Sequence, residues 1–480
     1  MPGALGRSLR SALQPAAYLG RNAITLTGAA ITTGAAFTLI GFWLLDLVRP
    51  APLHPYAGIV AYVGLPGVFV LGLLLMPLGA LLERARQRKR GNLPATYPAI
   101  DLAQPAVQRT LLLTGAASLL NVLILSVASY RAVEHMDSAE FCGTTCHSVM
   151  QPEHTSYLRS AHSRVACVQC HIGPGASWFV QSKLSGARQV WTAAFGTHSR
   201  PIPTPIEHLR PARETCEQCH WPEKPHGDKL VVRTHYADDE RNSPSTTVLM
   251  LKVGGRTPKG DLGIHGHHLG VVRYTPSDAR RQVIPSVNYV DAQGQSYAYT
   301  SPELLAQAPK GQPQAERNMD CLDCHNRPTH VFELPEQAVD AALAEGRLSP
   351  ELPFVKKQAV ALLRDEYPDR ETAGLRIGEG LARFYESSYP QIARERRALV
   401  DAAIEQTRAI YLRNVFPYMK VTWGTYPNNL GHEAFPGCFR CHDDQHVTSG
   451  GRAISQDCDI CHTILPEEDN AKILKDLGVR

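Results

Sequence analysis

The chain has 480 residues, more than one compact domain usually holds, and a formal net charge of +4. The charge is uneven: residues 1–130 carry 10 Lys and Arg against 3 Asp and Glu, and the remainder carries 39 against 42. A basic front end on a mildly acidic body offers no nucleic-acid surface, and it gives the body a preference for basic partners in diffusional encounter.

Three apolar runs come first, at 22–48, 56–82 and 110–130, with Asp46 as their only charge. Each is long enough to cross a hydrocarbon core of ~30 Å as a helix. The first is too long for a signal peptide, has no clear small-residue cleavage site and is followed by two more spans, so it reads as retained. Gly28, Gly34 and Gly41 suit close helix packing. The loop bearing Arg84, Arg86, Arg88, Lys89 and Arg90 stays cytoplasmic by the positive-inside rule. Everything after Tyr130 is then delivered to the outer, periplasmic side of a multi-pass cytoplasmic-membrane protein. The spans hold no His, and His54 reads as a solvated loop residue.

All 12 cysteines fall in six motifs, which leaves none for a disulfide or a catalytic thiol. The motifs are Cys142-Gly-Thr-Thr-Cys146-His147, Cys167-Val-Gln-Cys170-His171, Cys216-Glu-Gln-Cys219-His220, Cys321-Leu-Asp-Cys324-His325, Cys438-Phe-Arg-Cys441-His442 and Cys458-Asp-Ile-Cys461-His462. Cys-x-x-Cys-His attaches haem c: the thiols form thioethers with the two vinyl groups, and the adjacent His binds the iron. A zinc ribbon also pairs Cys-x-x-Cys but requires no His directly after the second Cys. The expectation is six covalently bound haem c groups. The first motif has three intervening residues, and Gly143 lets that longer arc bend to reach both vinyls.

Six proximal His require six distal ligands for full coordination, and Met and His are the common choices. In chain order the candidates are Met150, His162, His265, His330, His432 and His446, with His268 behind His265. His226 and His235 read as solvated. Fully coordinated haems carry electrons rather than activate substrate.

The run Cys-Gly-Thr-Thr-Cys-His-Ser-Val-Met-Gln-Pro-Glu (142–153), then Ser160-Ala161-His162, the second motif with Ile172-Gly173-Pro174-Gly175, and Trp178 to Val190 resembles the NapC/NirT family of membrane-anchored multihaem cytochromes. The resemblance covers about 131–225 and extends more loosely to 330. It implies oxidation of membrane quinol at the haem nearest the bilayer, with electrons leaving to a periplasmic redox partner. It also implies that Lys183, by position after the second motif, contacts the quinol. Three spans and six haems depart from the usual one or few helices and about four haems. Arg188 and Gln189 stand where the family often has an acid.

Beyond this, strands are expected at 229–237, 245–253, 269–276, 282–290 and 296–300, forming one small antiparallel sheet. Helical periodicity begins at Pro335, with Val355, Ala359, Leu362 and Leu363 on one face. The fold class is therefore a multihaem cytochrome c, mostly α and irregular, with three N-terminal transmembrane helices and a small antiparallel β insert. The expected segments are an anchor (1–130), a haem domain with the first three motifs (131–225), the β insert (226–320), the fourth motif with helices (321–425) and a C-terminal dihaem unit (426–480). The favoured function is a quinol-oxidising electron conduit. The alternatives are an electron-transfer subunit of a larger respiratory complex, with partner subunits docked on the spans, and a catalytic multihaem reductase.

Overall fold

The computed structural model describes residues 14–15, 18–48, 60, 64–94, 96–97, 103–145, 147–173, 176–206, 210–221, 227–254, 263–268, 271–291, 293–308, 315–466, 473 and 475. His54, Cys146 and His226 lie outside the described residues, as do the side chains of His147 and His268. The chain divides into two compact units, Met1–Thr145 and Cys146–Arg480.

In the first unit, helices α1 (Ala23–Val48), α2 (Leu65–Lys89) and α3 (Pro105–Met136) are all long and apolar enough to cross a membrane. Small residues bring α1 and α2 together. A Cβ added at Gly28 would stand 2.8 Å from the Gly72 carbonyl, and one at Gly72 would stand 2.5 Å from the Thr32 hydroxyl. The Thr25 hydroxyl donates across this contact to the Met76 carbonyl at 3.1 Å. Of the three glycines singled out in the sequence, Gly34 and Gly41 have no such neighbour within 4 Å. Phe141–Thr145 closes the unit as a single π turn.

The second unit opens with short helices α4 (His147–Tyr157), α5 (Cys167–His171), α6 (Ala176–Ala194) and α7 (Ala212–Cys216). Strands β1 (Lys229–Tyr236) and β2 (Pro244–Leu251) form a hairpin, and β3 (Val271–Thr275), β4 (Ser286–Val290), β5 (Ser296–Thr300) and β6 (Arg317–Asn318) follow. Next come α8 (Cys321–Cys324), α9 (Pro335–Ala344), α10 (Val355–Arg364), α11 (Arg370–Ser388), α12 (Arg397–Asn414), α13 (Cys458–Cys461) and β7 (His462–Ile464).

The single sheet expected of this region is instead two. One has the order β1-β2-β7 and the other β5-β4-β3-β6, both antiparallel. β7 is the strand that continues directly from the sixth motif, with Leu251 opposite His462. A period-two pattern marks a strand but not its partner across the chain, so this long-range pairing had no local signal.

The main hydrophobic core lies in the helical lobe, where Leu348, Leu352, Val355, Ala359, Leu363, Ile377, Leu381, Tyr385 and Ile410 are fully buried. Leu362, expected on the same face as Leu363, packs at its margin. The lobe is bolted to β1 by polar contacts. Buried Lys356 pairs with Asp340 at 2.8 Å and also donates to the Tyr236 carbonyl, while the Tyr236 amide donates to Asp340 at 3.2 Å. Asn242, fully buried at φ 49°, donates to the carbonyls of Pro350 (3.0 Å) and Leu352 (2.9 Å) and accepts from the Lys356 amide (3.1 Å). Asn tolerates this left-handed conformation where Ala is strained. Asn242→Ala strands two buried backbone groups and one partly buried one, so it is expected to destabilise the protein by about 3 kcal/mol. The check is the denaturant midpoint followed by far-UV circular dichroism.

Candidate haem centres

The motifs share one local device. In four of them the His amide donates to the carbonyl of the first Cys: His220 to Cys216 (2.8 Å), His325 to Cys321 (2.8 Å), His442 to Cys438 (3.1 Å) and His462 to Cys458. One closed turn therefore presents two thiols and an imidazole together. In α5 the same segment is a single helical turn.

The intervening residues lock neighbouring motifs to each other. Asp320 and Asp323 form a capping box around α8. Buried Asp323 accepts from the Tyr274 hydroxyl at 2.5 Å. Arg440, inside the fifth motif, donates through Nη2 to the Asp323 carbonyl at 2.5 Å, through Nη1 to the Arg281 carbonyl at 2.9 Å and through Nε to the Gly437 carbonyl at 2.8 Å. Gly437 itself sits at φ 50°, and a Cβ there would be 1.7 Å from the Gly431 carbonyl, so no other residue fits.

The second to sixth motifs follow one another in space as they do in sequence. α5 packs on α7, and α7 on α8. Cys170 lies within electrostatic range of Cys219, Cys324 of Cys438, and Cys461 of Cys438. The Cys216 thiol is hydrogen-bonded to that of Cys321, which pushes Cys216 up and pulls Cys321 down. Burial pushes Cys324 up to about 11 and Cys441 up to about 12. Among the described residues, no group of three or more His, Cys, Asp or Glu side chains is arranged to hold a bare metal ion.

Four motif histidines each face a histidine from elsewhere in the chain. The ring centres are 6.1 Å apart for His220 and His162, 6.3 Å for His171 and His330, 6.4 Å for His325 and His265, and 6.1 Å for His462 and His432. Two imidazoles bound on opposite sides of one metal, at ~2.0–2.1 Å per bond, have centres roughly 6 Å apart. The residues thus fit a bis-imidazole haem at four of the six motifs. Nδ1 of His330 lies 3.0 Å from the Glu153 carbonyl and Nδ1 of His162 lies 3.4 Å from the Pro328 carbonyl. Both contacts suit an Nδ1–H donor with Nε2 turned to the metal. His442 is oriented the same way, with Nδ1 2.9 Å from the Ser455 carbonyl. Desolvation holds His171, His325 and His330 below the ordinary imidazole range, in the neutral form that a metal binds.

His446 differs. It is fully buried, with Nδ1 2.9 Å from Asp443 and Nε2 2.7 Å from the Ile284 carbonyl, so both ring nitrogens are taken. The expected ligand is a strut between the fifth motif and the second sheet. Met150 is half-buried on the first turn of α4, and Lys183 is half-buried midway along α6. His235, expected to be solvated, is largely exposed but has Nδ1 2.7 Å from Asp340. Glu153, Arg327, Asp323 and Arg440 escaped sequence reasoning altogether. The only hint was charge inside or beside a motif, and that carries no direction.

Motif turns, paired imidazoles and three apolar helices define a membrane-anchored c-type cytochrome carrying covalently bound haem. Residues 104–202 match the model of the NapC/NirT cytochrome c family, N-terminal region. The chain is 42% identical over 452 residues to cytochrome c-type protein ImcH of Geobacter sulfurreducens, covering 93% of this chain and 88% of that one. It is 30% identical over 106 residues to cytochrome c-type protein NrfH of Wolinella succinogenes, covering 21% of this chain and 58% of that one. No solved structure matches. The chain belongs to the NapC/NirT family of c-type cytochromes. The family match begins at the start of α3, so α1 and α2 precede the shared region.

Proposed function

We propose that the protein oxidises membrane quinol at the outer face of the cytoplasmic membrane and delivers the electrons, through six haem c groups, to a periplasmic redox partner. The observation that carries this reading is the file of motif thiols from Cys170 to Cys461 with bis-imidazole spacing at four motifs. Haem c supplies reversible one-electron chemistry when bound.

The chain's own residues do the rest. The 12 cysteines would bind the groups, and His147, His171, His220, His325, His442 and His462 would hold the irons. His330, His162, His265 and His432 would share that role at the second, third, fourth and sixth motifs, and Met150 at the first. Full coordination at these centres favours conduction over a reductase site. Lys183 holds the quinol oxygen and assists loss of its proton.

Lys183→Gln is expected to slow reduction by a menaquinol analogue in proteoliposomes at least ~10-fold, the scale of one lost hydrogen bond to a reacting group. Reduction by dithionite should be unaltered. An unchanged quinol rate would remove Lys183 from the site, and no quinol reduction even by the parent protein would sink the reading as a whole.

A further inference from the structure

We propose that buried Glu153 and Arg327 tune the reduction potential of the second haem through its distal ligand His330, pushing in opposite directions. The inference rests on the pairing of His171 with His330 given above. Glu153, on α4, is 7% exposed and Arg327 is 9% exposed. Arg327 Nη2 donates to both carboxylate oxygens, at 3.2 and 3.0 Å. The same carboxylate lies 3.3 Å from His330 Nδ1, and the Glu153 backbone carbonyl lies 3.0 Å from it. Arg327 Nε donates to the His330 carbonyl at 2.7 Å. Its guanidinium lies over two neighbouring aromatic rings, 4.2 Å from the Tyr426 ring centre and 5.4 Å from that of Phe332.

A bare buried ion pair is ordinary scaffolding. This one differs in touching a ligand nitrogen. An Nδ1–H pulled by an anionic oxygen makes Nε2 a stronger donor and favours ferric iron, so Glu153 lowers the potential. Arg327 withdraws part of that charge and places a cation nearby, which raises it. Both effects are large where water is excluded. Glu153 lies between the first and second motifs and Arg327 two residues past the fourth, so one contact ties the second centre to residues around the fourth.

The test is potentiometric titration of the full-length, haem-loaded protein. Glu153→Gln should move one component of the titration upward, and Arg327→Gln should move the same component downward, with the other components in place. Shifts of the same sign, or none, would overturn the proposal, since a purely structural pair predicts common loosening. If Arg327→Gln does not mature, Arg327→Lys keeps the charge and should leave the potential near that of the parent; a shift as large as that of Glu153→Gln would count against it. His330→Ala separates the two readings. One added high-spin signal upholds the axial pairing, so unchanged potentials in the charge variants would then sink tuning alone, whereas no added signal sinks the pairing and the tuning with it.

Discussion

His432→Ala is expected to turn one low-spin haem per chain high-spin while the covalent haem count stays unchanged. The imidazoles of His432 and His462 face each other at 6.1 Å and 28°. Both are held from outside. Phe439 stacks on His432 at 4.2 Å, and His462 is fixed by the β2–β7 pairing and by the Lys252 amide donating to the Cys461 carbonyl at 2.9 Å. Removing one ring leaves its partner in position with nothing opposite. His446→Ala is the contrasting case. It should leave every haem in the spin state it has in the parent protein and cost about 2 kcal/mol of stability, because it removes the donor to the Ile284 carbonyl. Electron paramagnetic resonance of the oxidised protein reads both outcomes, and a high-spin signal from His446→Ala alone would reverse the assignment.

The second large effect comes from breaking the file in its middle. With Cys321 and Cys324 both replaced by Ala, the mature chain should carry five haems. Quinol should then reduce three of them rapidly, those of the motifs at 142–147, 167–171 and 216–220. The two beyond the gap, at 438–442 and 458–462, should lag by orders of magnitude, while dithionite still reduces all five. The expectation follows from the contacts that join the fourth motif to its neighbours on either side: Cys216 to Cys321, and Asp323 to Arg440. Stopped-flow spectra give the fast fraction. Uniform reduction of all five would mean a branched arrangement.

What could be read from the chain alone divides along the range of the interaction. Motif turns and membrane helices are written in adjacent residues, and both are seen, down to the closed turn that joins the His amide to the first Cys in four motifs. Distal ligands are contacts over long separations, such as His171 with His330, and a His that reaches a metal looks in sequence like one that does not. His432 and His446 flank the fifth motif alike, yet only His446 has Asp443 three residues before it to occupy Nδ1. That spacing was the one usable local clue. The third strand of the first sheet comes from residues 462–464, which no local pattern could announce.

The intact mass of the mature polypeptide, taken together with its haem-to-protein ratio, bears most directly on the central claim. The expected mass exceeds that of the chain by six covalently attached haems. A mass accounting for fewer, or haem released by acidified organic solvent, would contradict it.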